Sequence, residues 1–297
     1  MTKKISVLLM FTLTVTLLFS VYSAAEGAEK PANEFRSSFY FTPDGSHFSF
    51  DGLVFPFNVN LSPNTGLNCG LEFGATGVNA LAYYYHNNLF QQDQLAVGLL
   101  PLTWAAGKSV TLTNSLALQT FGRYVNTAFF NRQPCGVGLK YTVQLGAATF
   151  AASLTNNPLW DPAEKPLDVV TRLSLQAGEN LTAGVGIATS DTFSDHSNFG
   201  FLVDAAYTAA RVGFLGEFVS WNRAVSDKTV SGLYLEGFYG FTDQAQVYAG
   251  VFLANELTDD CLVLGGKHQV NSNLAYQAEL CNKKDDWRLT LQMQVQF

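Results

Sequence analysis

Residues 287–297 read WRLTLQMQVQF. Trp287, Leu289, Leu291, Met293, Val295 and Phe297 fall on one face of an extended chain; Arg288, Thr290, Gln292, Gln294 and Gln296 fall on the other. Strict period-two alternation is the mark of a strand whose two faces meet different surroundings, one oily and one wet.

The opposite end carries a different signal. Lys3 and Lys4 precede a largely apolar run, Ile5 to Tyr22, closed by Ser23-Ala24-Ala25. Small residues there suit a signal peptidase, so residues 1–25 read as a signal peptide cleaved after Ala25. The competing reading is a membrane-spanning helix. Its 18 residues are interrupted by Thr and Ser and are marginal for a bilayer. No later stretch approaches that length, so helical spans are excluded. An exported chain can still reside in lipid as a closed β-barrel, which satisfies every backbone group internally.

Composition points the same way. Of 297 residues only 14% are charged, about half the usual share, while 24 Phe, 12 Tyr and 25 Gly are abundant. A soluble protein needs charge outside; a barrel in lipid wants apolar and aromatic residues there and keeps polar groups within. Removing Lys3 and Lys4 with the leader leaves 15 basic against 24 acidic residues in 272, a net charge of −9. That balance does not favour nucleic acid as a partner.

From Arg36 onward the chain parses into alternating segments: 36–42, 48–61, 65–74, 78–88, 92–100, 135–145, 147–155, 167–178, 180–190, 198–208, 211–221, 230–241, 244–255, 260–270, 273–283 and 286–297. Leu53/Phe55/Phe57/Val59/Leu61 and Val137/Leu139/Tyr141/Val143/Leu145 are representative apolar faces. Ser62-Pro63-Asn64, Gly178-Glu179-Asn180, Thr242-Asp243 and Asn271-Ser272 supply turn chemistry. The fold class expected is all-β: a transmembrane antiparallel β-barrel of about 16 strands (14–18) with a long third outer loop. The domain division is 1–25 signal peptide, 26–35 periplasmic N-terminal segment and 36–297 barrel. With both termini periplasmic, connections after even strands are expected to be short, and all are. Sixteen strands leave a water-filled lumen, where about eight would be filled by side chains.

The longest connection, Pro101 to Pro134, carries Lys108, Arg123 and Arg132 and no Asp or Glu. Loops of this length are functional or disordered. One reading folds it inward, with these three residues at a pore constriction. The other leaves it external, with extra local structure around Ser115 to Phe121. By alternation Glu72, Lys140, Arg172, Asp204, Glu217, Glu236, Glu279 and Arg288 line the lumen, with Lys140, Arg172 and Arg288 set opposite the acidic wall. Trp287, Tyr141, Tyr207 and Tyr239 are candidates for interfacial aromatic girdles. The sign of charge at the narrowest ring sets selectivity, so the basic loop argues for anions and the acidic wall against them.

Cys261 and Cys281 flank the turn at Asn271-Ser272 and face inward, nearly opposite one another, so a cross-strand disulfide near the outer rim is expected. Cys69 and Cys135 read as outward on different strands and have no assigned partner. A metal site is the rival idea, but no CxxC or Cys/His spacing fits one. His47, His86, His196 and His268 are dispersed. No GxSxG or HExxH occurs, and Gly136-Val137-Gly138 and Gly184-Val185-Gly186 lack the later glycine or helix of a dinucleotide site. No cofactor, metal or catalytic residue is assigned, although outer-membrane hydrolases can carry Ser and His on a barrel surface.

The final strand, ending in Phe297, resembles the C-terminal signal of bacterial outer-membrane β-barrels. Gln94 to Trp104 (QLAVGLLPLTW) resembles a strand-to-loop segment of Gram-negative porins. Arg123 to Gly138, with Phe129, Phe130 and Arg132 before Cys135, is similar to the return into the barrel in the phosphate-selective porin O and P family, as are the hairpins from Leu167 to Phe297. The resemblance implies a passive, trimeric, water-filled diffusion channel of the bacterial outer membrane, in contact with its lipids and passing small hydrophilic solutes or ions; the weak anion preference is read from the basic loop alone. The chain is short for that family and lacks its lysine-rich pore, so phosphate selectivity is not carried over. Two other classes stay open. A substrate-specific transporter would show an aromatic track inside, for which Tyr234, Phe238, Tyr248 and Phe252 are available; a structural or adhesive barrel would have a blocked lumen.

Overall fold

The structure, a computed structural model, describes residues 33–74, 77–101, 115, 116, 129, 135–156, 167–190, 197–223, 228–255, 260–284 and 286–297. The signal peptide and the start of the 26–35 segment lie outside them. Sixteen strands follow one another: β1 (Glu34–Thr42), β2 (Gly45–Ser62), β3 (Thr65–Gly74), β4 (Gly77–Asn87), β5 (Asp93–Pro101), β6 (Cys135–Leu145), β7 (Ala148–Asn156) and β8 (Leu167–Ala177). The second half comprises β9 (Leu181–Ser190), β10 (Asn198–Ala209), β11 (Val212–Arg223), β12 (Lys228–Gly240), β13 (Ala245–Asn255), β14 (Cys261–Asn271), β15 (Leu274–Lys283) and β16 (Asp286–Gln296).

Each strand pairs antiparallel with its chain neighbours, and β1 closes the ring on β16 through pairs from Glu34↔Gln296 to Phe41↔Leu289. Closure leaves no unpaired edge, the condition for a sheet in hydrocarbon. Every expected strand is present. β1 starts at Glu34, ahead of Arg36, because Glu34 pairs on both sides, with Gln296 and Val54. β2 starts at Gly45 because Gly45, Ser46 and His47 pair with Thr42, Phe41 and Tyr40.

Alternation sorts the two faces. On β10, Phe199, Phe201, Val203 and Tyr207 are exposed on the outside, while Leu202, Asp204 and Ala206 are buried on the inside. The same outer face continues through Phe57, Leu139, Leu173, Ile187, Phe214, Leu264 and Leu291, all exposed. Exposing apolar surface to water costs about 25 cal/mol per Å², and soluble proteins seldom leave large contiguous apolar patches open. A belt running round the ring is therefore a lipid-facing surface. Tyr207, Tyr239 and Trp287 stand exposed on it, and Tyr141 Oη donates to Asp93 Oδ2 at 2.9 Å.

The first and last described residues meet at one rim, where Asn33 and Phe297 exchange backbone hydrogen bonds of 3.0 Å each. Connections at that rim are short, from two residues at 63–64, 146–147, 210–211 and 272–273 to five at 88–92. Gly146 takes φ 62°, a left-handed value that suits glycine in a two-residue hairpin. The strand ends joined by the longer connections, 102–134, 157–166 and 191–197, all lie at the other rim.

Candidate functional site

The inner face of the ring gathers the charged side chains of the wall. Glu72, Lys140, Arg172, Asp204, Glu217, Glu236, Glu279 and Arg288 all take inner-face positions, alternating with the lipid-facing residues. Lys108, Arg123 and Arg132 lie outside the described residues.

Several wall charges are neutralised by near neighbours. Arg172 Nη2 stands 2.6 Å from Asp204 Oδ2, and its Nε donates to Ser174 Oγ at 3.1 Å. Arg172 therefore sits against the acidic wall, correcting the expectation that it faces that wall across the lumen. One strand, β9, separates β8 from β10, a span that a long guanidinium side chain bridges. Arg288 likewise lies beside the acidic arc, on the strand next to Glu279, with its guanidinium 5.2 Å from the Tyr40 ring. Tyr40 stacks on His47 at 4.9 Å and donates to Asp51 Oδ1 at 3.1 Å. Asp51 also accepts from Ser38 Oγ, and from Gln292 Nε2 at 3.1 Å. Arg36 pairs with Glu34. Lys140 lies on β6, half the ring away from β14 and so facing the acidic arc.

The inner face is unevenly covered. On β9 to β12 its residues are buried nearly throughout, whereas on β2 to β7 most are half-exposed or exposed. The buried arc is partly apolar: Val170, Ala188, Leu202, Val219, Trp221 and Val230 pack together around Phe129, which belongs to the β5–β6 connection. Phe129 meets Trp221 edge to face at 6.0 Å, and its carbonyl accepts from Asn198 Nδ2 at 2.8 Å and Ser190 Oγ at 3.2 Å. A second residue of that connection, Leu116, donates its N–H to Glu279 Oε2 at 2.7 Å. Tyr248 Oη donates to the same oxygen at 3.0 Å and accepts from Gln277 Nε2 at 2.7 Å. Two residues of the long connection thus bind the inner wall, one on β15 and one on β9 to β11.

Large inner side chains lie flat across glycines of the next strand. A Cβ at Gly265 would stand 2.3 Å from Tyr248 Oη, one at Gly213 2.1 Å from the Phe238 ring, and one at Gly184 2.4 Å from Arg172 Nη2. Tyr234, Phe238, Tyr248 and Phe252 all face inward, with Tyr234 opposite Phe252 and Phe238 opposite Tyr248. Tyr234, Tyr248 and Phe252 are buried, and Tyr234 Oη donates to Glu236. Three of the four are thus wall packing, withdrawn from any track that a solute would touch.

Cys261 and Cys281 are buried on the inner face with their sulfurs 2.6 Å apart, as two thiols in contact. They are diagonal neighbours rather than opposite ones, since Cys281 pairs with Val263 and Cys261 with Lys283. Cys69 takes an outer-face position, and the Cys135 side chain lies outside the described set. Among the described residues, no group of three or more His, Cys, Asp or Glu is placed to hold a metal ion.

The apolar inner-wall residues, Leu116 and the glycines beneath the aromatics were not singled out by sequence. Their only trace is an inner face that is oily where the alternation predicts wet, on β10 and β11.

Solved structures share this architecture. Salmonella typhi OmpF, in complex with daunomycin, matches with a TM-score of 0.70 at 11% identity over 90% of this chain and 96% of that one. A loop L8 deletion mutant of OmpT, an outer membrane protein of Vibrio cholerae, matches with 0.68 at 13% identity, covering 90% and 98%. A mutant porin of Rh. blastica gives 0.60 at 11% identity, covering 90% and 99%. The fold is that of a bacterial outer-membrane porin. No family model matches the sequence, and no curated protein does. The porin fold accounts for the closed sixteen-strand ring.

Proposed function

We propose that this chain is a porin of the bacterial outer membrane, a passive water-filled channel for small hydrophilic solutes and ions that acts by conduction and not by catalysis. The observation that carries this reading is a closed sixteen-strand ring whose lipid belt surrounds a polar inner face, half-exposed along β2 to β7. Cleavage of a signal peptide at Ala25 precedes its insertion. Assembly as a homotrimer is supported by likeness to OmpT of Vibrio cholerae in its trimer form, with a TM-score of 0.63 at 13% identity. The long β5–β6 connection folds into the lumen, a reading supported by the contacts of Leu116 and Phe129 with the inner wall. Lys108, Arg123 and Arg132 are assigned to the constriction on sequence alone and give a weak anion preference. Likeness to the phosphate-selective porin O and P family rests on the motifs at 94–104 and 123–138, and phosphate selectivity is no part of the proposal.

Planar-bilayer recording tests the reading. Discrete open steps that scale with the conductivity of the bathing salt are expected, with a small reversal potential of anion sign under a salt gradient. Silence would favour a structural or adhesive barrel, and block by one particular solute a specific transporter. A clear cation preference would remove the basic constriction.

The thiols of Cys261 and Cys281 oxidise to a cross-strand disulfide after export. Mass spectrometry of unreduced peptides is expected to find the two positions linked; free thiols at both would end this assignment.

A further inference from the structure

We infer that the half of the lumen nearer Asn33 and Phe297 is an amide-lined vestibule that favours uncharged polyhydroxylated solutes; this rests on the channel reading above. Strand order and register place Asn58 and Asn60 of β2, Gln144 of β6, Gln246 of β13 and Gln292 and Gln294 of β16 on the inner face toward that rim. They come from widely separated strands of the ring, on both sides of the buried β9–β12 arc. Asn58, Asn60 and Gln144 are exposed and the other three half-exposed, so they border open space. Hydroxyls join them: Tyr85 Oη donates to Asn60 Oδ1 at 2.9 Å, and Thr149 Oγ1 to Gln144 Oε1 at 2.5 Å. Apart from turn residues, the described strand charges at this level are Glu34 and Arg36, paired with each other, Lys267, and three carboxylates engaged by neighbouring hydroxyls: Asp51 by Ser38 and Tyr40, the buried Glu236 by Tyr234, and the outward-facing Asp93 by Tyr141.

The chemistry follows from the side-chain inventory. Each amide offers two N–H donors and a carbonyl acceptor with two lone pairs, and carries no net charge. A solute hydroxyl, itself donor and acceptor, exchanges water for these groups with little loss, and bridging waters complete the set. An ion that gives up part of its hydration shell there meets Lys267 and carboxylates already engaged by neighbouring donors, so the fixed counter-charge offered to either sign is small. The vestibule therefore adds little sign preference of its own, whatever the constriction contributes.

The test uses the full mature protein reconstituted in lipid vesicles, with swelling followed in glucose, gluconate and glucosamine, which are close in size. Glucose is expected to enter at least as fast as either charged analogue. Asn58→Asp and Gln294→Glu, each alone, are expected to slow gluconate several-fold against glucosamine and to move the reversal potential toward cations, since each places a charge where solutes pass. Glucose entry slower than both charged analogues, or reversal potentials unmoved in both variants, would overturn the vestibule while conductance upheld the channel. Vesicles that swell with none of the three, together with silent bilayers, would instead overturn the channel reading itself.

Discussion

Gly138→Ala is expected to prevent formation of the folded barrel. Gly138 sits on the inner face of β6, paired with Gly98 on one side and Thr155 on the other. A Cβ there would lie 2.0 Å from the Leu154 carbonyl oxygen and 2.7 Å from Thr155 Cα. Those are backbone atoms of β7 and have no rotamer to escape into. The one relief is to part β6 from β7, which orphans ladder hydrogen bonds in a medium where each unmet group costs several kcal/mol. The loss therefore exceeds the ~1–3 kcal/mol of ordinary overpacking. Gly98 is bound by the same constraint on its other side: at φ 142° its Cβ would meet the Ala82 carbonyl oxygen at 2.4 Å. The measurement is the mobility of unheated protein in detergent gels together with far-ultraviolet circular dichroism. The control is Gly52→Ala, where the nearest atom, the Phe73 carbonyl oxygen, is 3.5 Å from the new Cβ, an ordinary contact. Wild-type yield of folded Gly138→Ala would contradict the close approach of β7.

Glu279→Ala is expected to raise single-channel conductance and open-state noise. The Glu279 carboxylate is 1% exposed, and its Oε2 accepts from both the Leu116 N–H and the Tyr248 hydroxyl. Removing it leaves the buried Tyr248 hydroxyl without that acceptor, at about 1–3 kcal/mol, and frees the half-buried Leu116 N–H, and with it the β5–β6 connection, from β15. The contacts of Phe129 with Trp221, Ser190 and Asn198 are separate and keep the second attachment. Trypsin offers an independent readout, because the connection carries Lys108, Arg123 and Arg132. Cleavage within it is expected to speed up in Glu279→Ala. Glu279→Gln, which retains a carbonyl acceptor, is expected to stay close to the parent in both readouts. Parental conductance and parental cleavage in the alanine variant would show that the Leu116 contact does not hold the connection.

The ring was legible in the sequence because one physical rule writes it: lipid outside and polar groups inside impose a period of two on every strand. The last strand shows this most plainly, and its pairing with Phe35, Ser37 and Phe39 on β1 completes the pattern. The interior was legible only in part. Alternation assigns a face, so it put all eight charged wall residues on the inner side. It says nothing of who pairs with whom, and Arg172 was therefore set apart from Asp204, to which it is bonded. Nor does it identify an oily residue that faces inward to receive a loop. Leu202, Val219 and Trp221 look like lapses in the pattern until Phe129 is seen among them. Leu116 and Glu279 are 163 residues apart, with no local signal linking them. Contacts made inside the ring depend on its closure, and no window of sequence contains that.

The bond between Asn33 and Phe297 has a consequence for how such a molecule comes into being. The first strand must wait for the last, with almost the whole barrel sequence between them, so this one pairing has the largest sequence separation in the ring while every other joins consecutive strands. Until then both partners are naked edges, open to pairing with other chains or to proteases. Closure is thus the step that makes the sheet safe, and until it happens each half-built ring carries two edges that any stray strand can capture.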